Sequence, residues 1–472
     1  MNVRIRHLFV LVLLLFGLLV GFTSYWSVLD ANGLEDNTAN KRLLLEEQQI
    51  RRGLIFARDG TVLARNKVTG RGESRFFERV YPPASLFGHV VGYNFVERGR
   101  SGLERSHNDD LTGETNEFTT VFDELRGRDR EGDDLVTTLD PQGQQTALGA
   151  LGGRTGAIVA IEPQTGSVRV MASVPGFDPN RIPKDFPELN REPGSPLFNR
   201  ATQSGYPPGS TFKVVTAAAA LDSGRFTPQT TLSGKSPREI GGVPLSNFGG
   251  QSFGAVTLTE ALTHSINTVW AQVGERLGKQ TMYEYMRRFG FNRKPPIDLP
   301  GSELRSSGVF NSGKLLDESN AIDIGRVAIG QERLLVTPLQ MAMVAAAIGN
   351  GGSLMRPHLV KEVRDPDGRT VRRVKPSEEA EVVKPESARA LASMMSQVVK
   401  EGTGTAAALS GIDVAGKTGT AEVGGTNQAW FIAFAPVDNP RIAIAATVER
   451  TSGQGGTVAA PIAKRVMESL LQ

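Results

Sequence analysis

The sequence has no cysteine and only five histidines in 472 residues. The first absence excludes thiol nucleophiles, disulfides, cysteine-ligated zinc and an acylated lipoprotein anchor. The second leaves little room for metal chemistry, and the zinc motif H-E-x-x-H does not occur. No metal and no cofactor is expected, so covalent catalysis would have to use serine, threonine, lysine or a carboxylate. Charge of one sign is missing too: 53 Lys and Arg oppose 50 Asp and Glu, and a net charge of +3 is no footprint of a nucleic-acid partner. With 53 Gly and 26 Pro the chain stays below the level of low-complexity sequences. At about 150 residues per domain the length allows two or three folded units.

What is present begins with a long apolar run. Arg4, Arg6 and His7 precede an uncharged stretch from Leu8 to Leu29. At about 1.5 Å per residue it reaches about 33 Å, enough to cross a hydrocarbon core of about 30 Å. Cations before it and Asp30 after it predict a cytoplasmic N-terminus and a single pass through the plasma membrane. A cleaved signal peptide is the competing reading. Phe22, Tyr25 and Trp26 resemble an interfacial aromatic belt and supply no A-x-A cleavage site, which favours the uncleaved anchor.

Residues 38–50 read as a short juxtamembrane helix. From Arg51 to about residue 140, short apolar runs alternate with DG, TG and RG steps, as in a small β-rich module. The charged stretch 126–134 reads as a solvated connection. From Gly156 the patterns sharpen: 156–162 and 167–173 predict an antiparallel hairpin across Pro163–Gly166, and 429–435 and 441–449 predict another. A buried helix should open with Thr337 as N-cap, Pro338 at N1 and Gln340 at N3, and 458–471 should form the last helix. Strands at both ends of this region, with helices between, predict an α+β fold whose antiparallel sheet joins distant segments. The expected division is 1–29 for stub and anchor, 30–150 for a pedestal or dimerisation-like module, and 151–472 for the main domain.

Three short motifs stand out. In Ser210-Thr211-Phe212-Lys213, prolines and a glycine stop the preceding chain and a buried helix follows as far as Gly224. Ser210 would sit at its N-terminus with Lys213 on the same face. A serine hydroxyl needs a proton acceptor, and a lysine whose pKa is lowered in a dry pocket can serve without histidine. Ser265-Ile266-Asn267 lies on a helical pattern opened by Thr257–Leu262, and its neighbour His264 should point elsewhere, packed or exposed. Residues 411–418 fit G-x-x-x-x-G-K-[ST] literally, but glycine-rich and strand-like sequence follows where a phosphate loop needs a helix. Lys417-Thr418-Gly419 is better placed on a strand along a site, with Gly419 letting a ligand approach the backbone. Two decoys are discounted. Residues 250–254 match G-x-S-x-G without a parallel strand before them, and Pro187–Asn190 precedes the serine motif where the deacylating loop of class A β-lactamases follows it.

Taken in order, Ser210-x-x-Lys213, Ser265-x-Asn267 and Lys417-Thr418-Gly419 resemble the triple motif of the penicillin-recognising serine acyltransferases. Around them, 51–64, 102–113, 137–148, 156–173, 329–340 and 415–422 resemble a class B penicillin-binding protein of the actinobacterial septal and elongation type. The region 30–150 is too short for the glycosyltransferase domain of a class A enzyme. The resemblance implies that Ser210 attacks the penultimate D-Ala carbonyl of a peptidoglycan pentapeptide stem, with Lys213 as general base. It implies that Ser265 and Lys417 carry the proton to the leaving amine and that Asn267 holds the peptide amide. Thr418 and Thr420 would take the terminal carboxylate beside Gly419, and backbone N–H groups of Ser210 and Thr420 would form the oxyanion hole. β-Lactams would acylate Ser210 and stay. The implied partners are a polytopic glycosyltransferase and other division or elongation proteins. A D,D-carboxypeptidase or endopeptidase, and a mainly scaffolding division protein, are the alternatives.

Overall fold

The computed structural model describes residues 3–26, 45, 47–70, 75–114 and 130–472. The apolar run forms α1 (Val3–Ser24), 22 residues with no side chain buried. It starts earlier than the run itself, taking in Arg4, Arg6 and His7. Beyond it the Tyr25 and Trp26 rings meet edge to face, their centroids 5.4 Å apart. This is one helix long and apolar enough to cross a membrane. The end of the run, most of the juxtamembrane helix expected at 38–50, and 126–129 of the expected connection lie outside the described residues.

The module opens with strands β1 (Ile55–Phe56), β2 (Val62–Thr69) and β3 (Phe76–Val80) and returns with β4 (Asp134–Thr137). The β1–β2 turn follows from its sequence: the Asp59 carboxylate accepts the Thr61 N–H at 2.9 Å, and Gly60 supplies φ +89°. Beneath the sheet the buried Glu104 carboxylate accepts Arg52 Nε at 3.1 Å and Arg79 Nε at 2.7 Å. Burial pushes the Glu104 carboxyl up, but the two guanidinium groups outweigh it and hold it below its ordinary value.

Helix α2 (Pro141–Leu151) is capped by Asp140, which accepts the Gly143 N–H at 2.9 Å, and ends at Gly152 with φ +58°. The predicted hairpin follows as β5 (Gly156–Ile161) and β6 (Val168–Val174). The helical block contains α3 (Lys213–Asp222), α4 (Leu258–Thr263), α5 (Asn267–Arg288) and α6 (Pro338–Gly349). Thr337 caps α6 as expected, accepting the Gln340 N–H at 3.1 Å, and the helix is buried on every side from Pro338 to Ile348. Strands β7 (Val360–Arg364) and β8 (Thr370–Arg373) and helix α7 (Pro385–Lys400) lead to β9 (Ala415–Val423), β10 (Thr426–Ala435) and β11 (Ile442–Thr451). The chain closes with α8 (Ala460–Leu471).

Two sheets organise these elements. The larger domain is built on an antiparallel sheet in the order β9-β10-β11-β5-β6, so Val448 pairs with Gly156 and Ala443 with Ile161 across most of the domain's sequence. Its side chains alternate between two dry faces. Ile158, Ala160, Val170 and Phe431 pack towards α2 and α8, whereas Val159, Met171, Ile432 and Phe434 face the helical block. The expected α+β architecture is therefore present. The other sheet runs β8-β7-β4-β1-β2-β3, so the module's sheet receives two strands from residues 360–373. Helix α2, before residue 151 in sequence, packs with the larger domain.

Candidate active site

Ser210 sits half-buried in a 3₁₀ turn, Gly209–Phe212, that runs directly into α3. Gly209, at φ +50°, donates its N–H to Gly330 O at 3.2 Å. The two backbones touch: a Cβ on Gly330 would lie 1.9 Å from Gly209 O, and one on Gly209 would lie 2.6 Å from Thr420 O. Behind the turn, Trp430 Nε1 donates to Pro207 O at 3.0 Å. Glu449 accepts from both Tyr206 Oη and Arg200 Nε. The segment leading to Ser210 is thus fixed by side chains of β10 and β11.

Lys213 is fully buried, and its Nζ donates to Ser265 O at 2.7 Å, Asn267 Oδ1 at 2.7 Å and Ser265 Oγ at 3.3 Å. None of these acceptors is charged. Burial, and secondarily the nearby Lys417 cation, hold the Lys213 ammonium well below its ordinary pKa. Lys417 is also fully buried and donates to Ser265 Oγ at 2.9 Å and Thr418 O at 3.0 Å. Burial lowers it to about 7. Ser265 Oγ therefore lies between two amines that sit 204 residues apart in sequence by their own numbering, on α3 and β9.

The local path of the chain at Ser265 differs from the expected continuous helix. Helix α4 ends at Thr263, Ser265 takes φ +59°, and α5 starts at Asn267. On an unbroken helix, residues two apart face different ways. The break is what lets Ser265 and Asn267 both reach Lys213. A left-handed non-glycine residue costs about 1–3 kcal/mol, which the surrounding packing must supply. Asn267 is held from its other end, donating Nδ2 to Ser246 O at 3.1 Å. His264 is exposed and outside this cluster.

Strand β9 carries the third motif, as expected, and no helix follows Lys417 as a phosphate loop would require. The expected reason for Gly419 needs correction. A Cβ there would lie 2.6 Å from Pro208 O and 3.1 Å from Thr211 N, so the nucleophile turn itself occupies the space assigned to a ligand. The Thr418 and Thr420 hydroxyls already have partners within the chain. Thr418 Oγ1 shares a 2.6 Å hydrogen bond with Thr403 Oγ1, and Thr420 Oγ1 accepts the Gly455 N–H at 3.1 Å. Thr403, Gly330 and Gly455 join the site without belonging to any of the three motifs. Gly330 falls within 329–340, a segment that carries the family resemblance, and Gly455 in a glycine cluster, whereas Thr403 carries no local signal. The decoys at 250–254 and 187–190 fall in a surface turn and at the end of a short helix, Ile182–Leu189, whose C-cap is Asn190.

The model of the penicillin binding protein transpeptidase domain matches residues 156–468, the span that contains every motif above. The chain belongs to the penicillin-binding protein transpeptidase family. Upstream, a second model, the penicillin binding protein A dimerisation domain, matches residues 52–135. The chain is 36% identical to the peptidoglycan D,D-transpeptidase PbpA of Mycolicibacterium smegmatis, over 100% of this chain and 99% of that protein. It is also 36% identical to PbpA of Mycobacterium tuberculosis, with the same coverage. Among solved structures it resembles penicillin-binding protein A from M. tuberculosis in its ceftriaxone acyl-enzyme complex. The TM-score is 0.81 and the identity 34%, over 91% of this chain and 100% of that one. The D,D-transpeptidase domain from Eggerthella lenta gives 0.79 and 34%, over 90% and 98%. Within this penicillin-binding family member, the described residues contain no His, Asp or Glu cluster suited to a metal ion.

Proposed function

We propose that this penicillin-binding protein is a serine D,D-transpeptidase that cross-links peptidoglycan stems. The observation that carries the reading is the Lys213 amine, buried three residues beyond Ser210 with only neutral acceptors around it. A lysine whose pKa is lowered in this way can take the proton of a serine hydroxyl. Ser210 Oγ then bonds to the penultimate D-Ala carbonyl carbon as Lys213 receives the proton. The oxyanion is met by the N–H groups of Ser210 and Thr420, each donor typically contributing about 3 kcal/mol. When the tetrahedral centre collapses, the C–N bond breaks and the leaving amine gains a proton through Ser265 Oγ, which Lys417 supports at 2.9 Å. An amine of a neighbouring stem then displaces Ser210 from the acyl group.

Asn267 would orient the substrate amide, and Thr418 and Thr420, beside Gly419, its terminal carboxylate. A β-lactam follows the same first step but keeps its leaving nitrogen tethered, so the acyl-enzyme persists. Fluorescent penicillin is expected to label the full-length protein and not Ser210→Ala. Labelling that survives in the variant overturns the assignment.

α1, with Arg4 and Arg6 in its first turn, supports a single pass in the plasma membrane, N-terminus in the cytoplasm and catalytic domain outside. Protease added to intact spheroplasts should digest the catalytic domain and leave an N-terminal tag protected; the reverse pattern refutes the orientation. Residues 30–150 would form the pedestal below the catalytic domain of 151–472. With α1 they offer the surface for a polytopic glycosyltransferase and other division or elongation proteins.

A further inference from the structure

A second cleft, of about 170 Å³, opens where the module meets the larger domain, and none of its lining residues belongs to the Ser210 cluster. Its walls come from separate segments: His107 from the module, Asp298 from the helical block's connections, Arg356 and His358 from the chain entering β7, and Arg372 and Lys375 from β8 and beyond. Cations thus converge here from distant parts of the sequence.

The acidic groups closest to His107 are already engaged, and Asp133 lies within electrostatic reach of Arg372. The Asp298 carboxylate, on the cleft wall, accepts the Leu359 N–H at 2.7 Å through one oxygen and the Val360 N–H at 2.8 Å through the other. Asp110 accepts from His107 Nδ1 at 2.8 Å and from Arg372 at 2.6 Å. His107 Nε2 stands 3.7 Å from Asp298, too far for a hydrogen bond and close enough for Coulomb attraction. Burial lowers the His107 imidazole, but Asp110 and Asp298 outweigh it and raise it to about 9, so the ring is cationic at neutral pH. Two carboxylates therefore face His107 and Arg372, and the charge of Arg356 and Lys375 is left over. Neither of these two has an ion-pair partner among the described residues. The Arg356 backbone is fixed, its N–H donating to Ser377 O at 2.9 Å, and His358 Nε2 is hydrogen-bonded to Ser167 Oγ at 3.2 Å. The cleft is a held shape with unspent positive charge on its walls, and a guanidinium and an ammonium are groups that suit a tetrahedral oxyanion.

We propose that this cleft binds a phosphate group, and that the bound anion ties the module to the larger domain. Its ligand carries either a soluble phosphate or the phosphate of an anionic lipid headgroup. Binding to a site assembled only in the folded chain stabilises that chain by mass action.

The test uses full-length protein in nanodiscs of zwitterionic lipid, melted with inorganic phosphate or with potassium chloride of equal ionic strength. Wild type should gain about 2 °C or more with phosphate over chloride, and Arg356→Gln combined with Lys375→Gln should lose that gain. Both side chains are exposed, so the variant should fold, with penicillin labelling as the check. An equal gain in both proteins, or none beyond chloride in the wild type under either lipid condition, overturns the proposal. Nanodiscs containing phosphatidylglycerol separate the sources. A gain without added phosphate that the double variant lacks identifies the headgroup; a gain with soluble phosphate alone identifies a soluble ligand.

Discussion

Lys213 and Lys417 share one hydroxyl between them, and water reaches neither amine. A lysine acts as a base only when deprotonated, and Lys213 has its pKa lowered by burial and by the Lys417 charge. Acylation should therefore rise with pH through the Lys213 value and level off well below the 10.5 of a free lysine. Stopped-flow acylation by a chromogenic β-lactam checks this; a rise centred on 10.5 contradicts it. Lys213→Ala should lower the acylation rate by about 10²–10⁴-fold, the usual weight of a general base, with the pH-dependent rise removed. The sequence made these side chains legible because spacing and residue type carry the chemistry. It did not reveal Thr403 or Gly455, whose roles come from hydrogen bonds between segments remote in sequence.

Among elements, hairpins and caps were legible and contacts between elements were not. The β5–β6 and β10–β11 hairpins follow from alternation around a turn, and α6 from its Thr-Pro-x-Gln start. The break between α4 and α5 was hidden, since it depends on a serine held at φ +59° by its surroundings, where local pattern predicts helix. The turn bearing Ser210 raises the same point, because Gly209 rests on Gly330 of a distant loop. Gly330→Ala should force that loop away. Its Cβ would lie 1.9 Å from Gly209 O at φ +79°, so we expect destabilisation of about 1–3 kcal/mol and acylation slowed at least tenfold. Denaturant melts and β-lactam acylation rates read the two effects. Unchanged acylation would mean that the contact does not position Ser210.

At the scale of the whole molecule, the module is contiguous in sequence only in part. Its sheet is completed by β7 and β8, from residues 360–373. A fragment spanning 45–140 would leave the β4 edge unpaired and lose the apolar partners of that edge. We expect such a fragment to melt without a cooperative transition, whereas the full chain melts cooperatively; a sharp transition in the fragment, followed by circular dichroism, refutes this. Composition could mark where the module begins but could not show that later strands join it, since strand pairing at such separation leaves no periodic trace.

The order of the catalytic sheet also governs when the enzyme can first react. β5 waits for β11, and Ser265 waits for Lys417, so the segments that complete the site leave the ribosome long after Ser210. At about 5–20 residues per second, synthesis takes roughly 10–40 s to travel from Ser210 to Lys417. During that interval the nascent chain already carries Ser210 and Lys213 but lacks Lys417 and the strand that would complete the site. A growing or prematurely terminated chain is therefore inert towards its own substrate and towards β-lactams until the C-terminal strands dock.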